Sequence, residues 1–235
     1  MNIKTEEIVA QNQKFLSELL DDMRDPPLAE FMRFVFSPQG LLAEFMESPA
    51  SRRNHHSFTG GLAFHSIQAA RLGRSISKHY NSIGIKVCED VVVAGVLIHD
   101  IGKIHCYSDD ETLCPKGNKN NNDGWKCGCE PKAKYHHVPR ASLFHHIPLG
   151  YLDISKLADK FNDSREREEH KLTQKKIDKL LHIILSHHGR RMWSSPVLPQ
   201  FMEAYIVHSI EMMDGYVEKF SNGEVPSTIY DGTNY

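Results

Sequence analysis

The chain has 235 residues, of which 25% are charged and 40% apolar, with a formal net charge of -2. That length buries a sizeable core, as one large domain or one domain with an appendage, and the charge excludes a global attraction to nucleic acid or membrane, so that any polyanion has to meet a local patch. Histidine is the outlier, with 15 copies, several in adjacent pairs (His55-His56, His136-His137, His145-His146, His187-His188). Imidazole is the commonest metal ligand and titrates near neutrality, so this excess points toward metal chemistry.

In chain order, the opening MNIKTEEIVAQNQKF is polar and acidic, unlike a signal peptide. No apolar run approaches the ~20 residues that span a bilayer. Five cysteines are an odd count without the density of a disulfide scaffold, so a reduced, cytoplasmic protein is expected. Phe15, Leu16, Leu19, Leu20 and Met23 recur at helical spacing, and Asp25-Pro26-Pro27 ends that helix. Residues 28–36 and 40–47 read as short amphipathic helices around Ser37-Pro38-Gln39-Gly40. Gly60-Gly61 opens a helix to about Tyr80 that carries His65 in its first turns. The run VVVAGVLI is rich in β-branched residues, which favour strands; its helical neighbours make it a buried helix instead. Residues 106–140, rich in Asn, Lys, Gly, Pro and Cys, read as an inserted loop with room for a small hairpin. Helix returns over 142–161, and NDSREREEHK is a solvated turn leading into the next helix. In KKIDKLLHIILSHHG, Ile177, Leu180, Leu181, Ile184, Leu185 and His188 share one face, with Gly189 as the stop. The last long helix is PQFMEAYIVHSIEMMDGYVEKF. The expected fold is all-α: N-terminal helices over 1–50, packed on a unit over 51–222 that contains the insertion, with a tail over 223–235.

The chemistry concentrates at the ends of these helices. His99 and Asp100 close the apolar VVVAGVLI run, and neighbouring side chains diverging by about 100° can flank one ion. A mixed nitrogen and oxygen pair suits a hard or borderline divalent metal, and a carboxylate can bridge two ions. His65, His146 and His187 each stand at the edge of an apolar helical stretch, as they would if several helices converged on one polar centre. His208, Glu211 and Asp214 follow at i, i+3 spacing on the last helix and bring carboxylates to adjoining parts of one face.

These residues, in the blocks ESPASRRNHHSFTGGLAFHS, AGVLIHDIGK, HHIPLG, LSHHGRRMWSSPVLP and EAYIVHSIEMMD, resemble the HD superfamily of metal-dependent phosphohydrolases over most of residues 20–220. Within it, the chain is most similar to the HD domain of YhaM-type 3′→5′ exoribonucleases. The resemblance implies an HD-domain helical bundle and a metal-dependent phosphodiesterase. It implies two divalent ions (Mn, Mg, Fe, Ni or Zn) on His65, His99, Asp100, His146, His187 and Glu211, with Asp100 bridging. His188 and Asp214 are the alternates. Glu211 stands where the family's late H-x-I-D-x-x-D motif has its first aspartate. Those exoribonucleases carry an oligonucleotide-binding barrel ahead of the HD domain; this sequence begins almost directly with helices, so an aromatic platform of that kind is not expected within it. A weaker likeness to HD-type relaxases rests on SRRNHHSFTGGL.

On this reading Asp100 and Lys103 are catalytic, Lys103 being the cation for developing charge, although a lysine there also suits a helix C-terminus. Arg52, Arg53, His55 and His56 form the basic patch for a nucleotide or short single-stranded nucleic acid. Arg190, Arg191 and Trp193 form the opposite wall, with Trp193 either stacking on a base or packing in the core. Cys106, Cys114, Cys127 and Cys129 are a candidate structural zinc set, at a spacing that is not standard for zinc. The competing classes are a di-iron oxygenase, whose ligands overlap, and a non-catalytic binding module with a lapsed site. An oligomer is compatible with the sequence, and no membrane partner is expected.

Overall fold

The structure is a computed structural model, and it describes residues 5–52, 56–110 and 134–221, with Gly223. Helix α1 (Thr5–Asp21) turns into α2 (Pro26–Val35) through a corner that Asp25 caps, its carboxylate accepting the Leu28 N–H at 3.2 Å. Pro26-Pro27 therefore does more than end α1. With φ already near the helical value and no N–H to lose, the pair opens α2 two residues earlier than expected. Helix α3 (Leu42–Glu47) follows, and then α4 (Gly61–Ser82).

The corner is tied to the core by one buried carboxylate. Asp90, on α5 (Glu89–Ile98), accepts the backbone N–H groups of Arg24 at 2.8 Å and Asp25 at 2.7 Å. Asp90→Ala strands both donors, and we expect it to cost about 3 kcal/mol, read as a lower urea midpoint at unchanged slope. A loss under about 1 kcal/mol would mean that water replaces the carboxylate.

VVVAGVLI does form a helix. Every α5 residue from Asp90 to Ile98 is buried, and a helix apolar all round belongs in the middle of a core. It packs against α4, α8 (Gln174–Ser186) and α9 (Met202–Ser221). A single apolar cluster runs from α1 to α9, and the Phe31 ring meets Phe161 edge-on at 5.5 Å, joining α2 to α7 (His146–Asp163). After α5 come a 3-10 turn, Ile101–His105, and the strand β1 (Tyr107–Ser108). β1 pairs antiparallel with β2 (His136–His137), so the insertion has a hairpin-like stem; residues 111–133 lie outside the described residues. Apart from these short strands the described fold is all-α.

Two expectations need correction. The helix expected over 142–161 is two helices, α6 (Pro139–Phe144) and α7, broken at His145 with φ 61° and ψ 159°. The break lets His146 turn inward as the first residue of α7. On α8 the buried arc is Ile177, Leu180, Leu181, Ile183 and Ile184, shifted toward Ile183 from the expected face. That rotation takes His187 fully inside and leaves Leu185 and His188 half-buried.

Candidate metal centre

Five elements deliver one polar residue each, or a pair, to a single interior point. α4 brings His65, the end of α5 brings His99 and Asp100, α7 brings His146, the end of α8 brings His187, and α9 brings Glu211. Asp100 is fully buried, and His65, His99, His146 and His187 are buried around it.

Asp100 is shared between two groups of donor atoms. On one side, the Nε2 atoms of His65 and His99 lie 3.3 Å apart, and Glu211 Oε2 is 3.1 Å from each. Asp100 Oδ2 is 3.7 Å from the first ring and 3.5 Å from the second. On the other side, Asp100 Oδ1 is 3.1 Å from His146 Nε2 and 3.5 Å from His187 Nε2, with His188 completing the group. The rings are oriented from behind, because a carbonyl oxygen can only accept. His99 Nδ1 donates to Val96 O at 2.6 Å, His187 Nδ1 to Ile184 O at 2.8 Å and His188 Nδ1 to Trp193 O at 2.5 Å. His65 Nδ1 meets Asp214 Oδ2 at 2.8 Å. Each Nε2 is thereby turned inward, the arrangement by which outer partners set imidazoles for ligation.

Several of the inward atoms lack a well-formed hydrogen bond, although Lys103 pairs with Asp100 Oδ2. Both oxygens of Asp100 and the Nε2 atoms of His146 and His187 are buried without a hydrogen bond. Leaving Asp100 Oδ1 and the two Nε2 atoms so is costly unless something else satisfies them, and a nitrogen and oxygen donor set of this kind fits a divalent ion. Burial holds the imidazoles of His146 and His187 down, to about 3 and about 4, so both are neutral at pH 7, as ligation requires. His65 behaves differently: burial lowers it, but Glu211, Asp214 and Asp100 outweigh burial and raise it to about 10. Burial would raise Asp100 and Glu211, yet both are held well below the usual carboxylate range. Lys103 and His99 act mainly on Asp100, and His65 and His99 on Glu211.

The other residues singled out from the sequence fall in three places. Lys103, half-buried, forms an ion pair with Asp100 Oδ2. His56 lies against the His65 side, its Nε2 3.8 Å from Asp214 Oδ2, and forms a third donor group with His65 and Asp214. Asp214 thus stands behind His65, whereas Glu211 stands in front of it. Arg190 lies over the Trp193 ring, 4.5 Å from its centroid, and Trp193 is half-buried with its carbonyl on His188. Arg52 is described and half-buried, whereas Arg53 and His55 fall outside the described residues. Cys114, Cys127 and Cys129 also lie outside them, so the zinc set is represented by Cys106 alone.

The Cys106 thiol is buried, donates to Gly102 O at 3.4 Å, and is pushed up to about 12 by burial. Since the thiolate is the nucleophile, iodoacetamide at pH 8 should label exposed Cys88 at least about 100-fold faster than Cys106, as read by peptide mass mapping. Comparable rates would mean that the 106–108 segment opens.

Two glycines let these elements meet: Gly189, expected from the sequence only as a helix stop, and Gly102, for which the sequence suggested no contact. A Cβ on Gly102 would sit 2.0 Å from His146 O, and one on Gly189, at φ 69°, would enter the His208 ring. His208 in turn donates from Nδ1 to His187 O at 2.9 Å. The glycine after the His-Asp pair was visible in the sequence, but its partner on α7 was not.

An all-helical bundle whose helix ends gather histidines around one shared aspartate is the arrangement of the HD domain, and the HD domain family model matches residues 62–211. The chain belongs to that family. Among characterised proteins it is similar to the 3′-5′ exoribonuclease YhaM of Bacillus subtilis (strain 168), 29% identical over 222 residues, covering 92% of this chain and 59% of the relative. It is also similar to 3′-5′ exoribonuclease YhaM of Geobacillus sp. (strain WCH70), 29% identical over 222 residues and 57% of that protein. The Listeria monocytogenes serotype 4b (strain F2365) protein of the same name is 31% identical over 173 residues, 73% of this chain and 44% of the relative. The chain thus spans less than two thirds of the length of these relatives. No solved structure matches it significantly. Among the described residues no helix is long and apolar enough to cross a membrane.

Proposed function

We propose that the chain is a metal-dependent phosphodiesterase of nuclease type, removing nucleotides from the 3′ end of short single-stranded RNA. The observation that carries this reading is Asp100, which is buried and offers one oxygen to each of two donor groups, Oδ2 being shared with the Lys103 ammonium. The family and the relatives supply the reaction class. His65, His99 and Glu211 would hold one divalent ion, His146 and His187 the other, with Asp100 between them. His188 and Asp214 flank the two groups, and the HD unit extends over 51–222. When bound, such ions supply Lewis acidity, which lowers the pKa of water and offsets phosphate charge.

The chain's own residues do the rest. Glu211 and Asp100, kept ionised by the surrounding imidazoles and Lys103, are the negative groups that attract cations into an otherwise apolar interior. Lys103, charged and next to Asp100, is placed to face phosphoryl oxygens. Arg52 and Arg190 would be further phosphate partners and Trp193 would offer a ring face to a base, a reading supported by Arg190 lying over the Trp193 ring. In the net reaction the oxygen of water bonds to phosphorus, the bond from phosphorus to the upstream O3′ breaks, and that oxygen takes a proton.

A timed digest of 5′-labelled single-stranded RNA with Mn²⁺ tests the reading. The expected result is a ladder that shortens from the 3′ end. A protein loaded with metal that leaves the RNA intact would overturn it and turn attention to mononucleotides and to iron-dependent oxidation.

A further inference from the structure

The insertion after the His-Asp pair is rooted at the rim of the centre by both of its ends. β1 begins at Tyr107, just beyond the 3-10 turn that carries Lys103, and the Cys106 thiol ties that turn to the strand through Gly102 O. Across the stem Tyr107 pairs with His137, and their rings lie 5.1 Å apart, tilted by 46° and half-buried. Burial raises the Tyr107 hydroxyl, Lys103 and Arg52 oppose the rise, and Asp100 adds to it, so the hydroxyl is within electrostatic reach of the centre. The approach to β2 is anchored elsewhere. The hydroxyls of Tyr135 and Thr59 are 2.9 Å apart, and Lys134 Nζ donates to Thr59 Oγ1 at 3.3 Å while lying 4.9 Å from the Tyr135 ring centroid. Thr59 directly precedes Gly60, the N-cap of the helix that bears His65. The stem therefore bridges the loop before His65 and the turn after Asp100, placing aromatic rings and cations side by side along one edge of the centre.

We propose that this stem is the platform that holds single-stranded RNA beside the metal centre. The Tyr107–His137 pair takes the face of a nucleobase, and Arg52 and Lys134 take the flanking phosphates. Stacking on rings combined with cations along a backbone is how single strands are held without reading their sequence. A chain of net charge -2 also needs such a local patch. The inference rests on the nuclease reading of the same site, and it adds Tyr107, His137 and Lys134 to Arg52 as the substrate's grip.

The test is fluorescence anisotropy with the full chain, Mn²⁺ and a 5′-fluorescein-labelled phosphorothioate hexaadenylate, which resists cleavage. Tyr107→Ala and His137→Ala should each weaken Kd about tenfold, and Tyr107→Trp should restore binding to within about threefold of the parent, because every base has a ring face to stack. Arg52→Ala should lower the slope of log Kd against log salt by about 0.7. A stem with only a structural role would move neither the aromatic rescue nor the salt slope. Should Tyr107→Ala fail to fold by circular dichroism, His137→Ala and the Arg52→Ala salt slope decide. Unchanged Kd in these variants, or no binding by the parent chain, overturns the proposal. RNA that binds through the stem but is never cut overturns the nuclease reading and leaves the platform standing.

Discussion

Asp100→Asn is expected to lower cleavage of single-stranded RNA by more than about 10³-fold and to strip most divalent metal from the protein. Removing a residue that merely supports a ligand typically costs 10–100-fold, and Asp100 is shared by both donor groups. The amide keeps the shape of the side chain but loses the charge and one acceptor oxygen, so the loss is chemical rather than steric. The same substitution has a second consequence. Lys103 is half-buried against Asp100, and a largely shielded ammonium left without its carboxylate costs up to about 3 kcal/mol. Asp100→Asn should therefore unfold at lower urea in chelator than the parent. The double variant Asp100→Asn/Lys103→Met should regain most of that stability and none of the activity. Metal content after gel filtration, the RNA ladder and urea midpoints separate the two effects. An Asp100→Asn protein that keeps its metal and its activity would overturn the assignment of Asp100 as the shared ligand.

The residues in that argument were readable as a set long before their arrangement was. Helical periodicity located α4, α8 and α9 within a few residues, and found the second half of α1 but not its start at Thr5, because their buried faces repeat at the helical period. α5 is the instructive case. Its β-branched run argues for a strand by propensity, and tertiary burial on all sides overrides that preference. The gathering of His65, His99, Asp100, His146 and His187 could be anticipated because each stands at one edge of an apolar helical stretch, His65 and His146 near a helix start and the others at a helix end, and buried polar residues there have few places to go but toward one another. Finer choices depended on helix rotation, which the sequence does not state. Glu211 faces the Nε2 side of His65 and Asp214 its Nδ1 side because Val207 and Ile210 set the roll of α9 against the core. His187 rather than His188 is fully buried because the apolar arc of α8 is centred closer to Ile183. The break at His145 had one unread signal, Pro148, which interrupts a helix over 142–161 but suits the first turn of α7; the positive φ of His145 itself is set by packing from outside.

That packing comes to a point at Gly102, where the second large effect is expected. The 3-10 turn after Asp100 lies directly on the start of α7, and an added Cβ at Gly102 would sit 2.0 Å from His146 O and 2.5 Å from Gly150 N. Both are backbone atoms, so no rotamer change relieves the overlap, and one element has to move away from the other. Moving α7 carries His146 from Asp100 Oδ1, now 3.1 Å distant, and displacements near 1 Å in such constellations cost about 10²-fold in rate. Gly102→Ala should therefore lose about 10²-fold or more of RNA cleavage and about 3 kcal/mol or more of stability, while circular dichroism still reports a helical protein. Gly84 is the control. Its φ is +88°, but nothing lies within 4 Å of its added Cβ, so Gly84→Ala meets backbone strain alone, about 1 kcal/mol, and cleavage is untouched. Equal losses in the two variants would show that the cost lies in glycine's backbone freedom. A deficit confined to Gly102→Ala would place it in the contact between the His-Asp turn and α7.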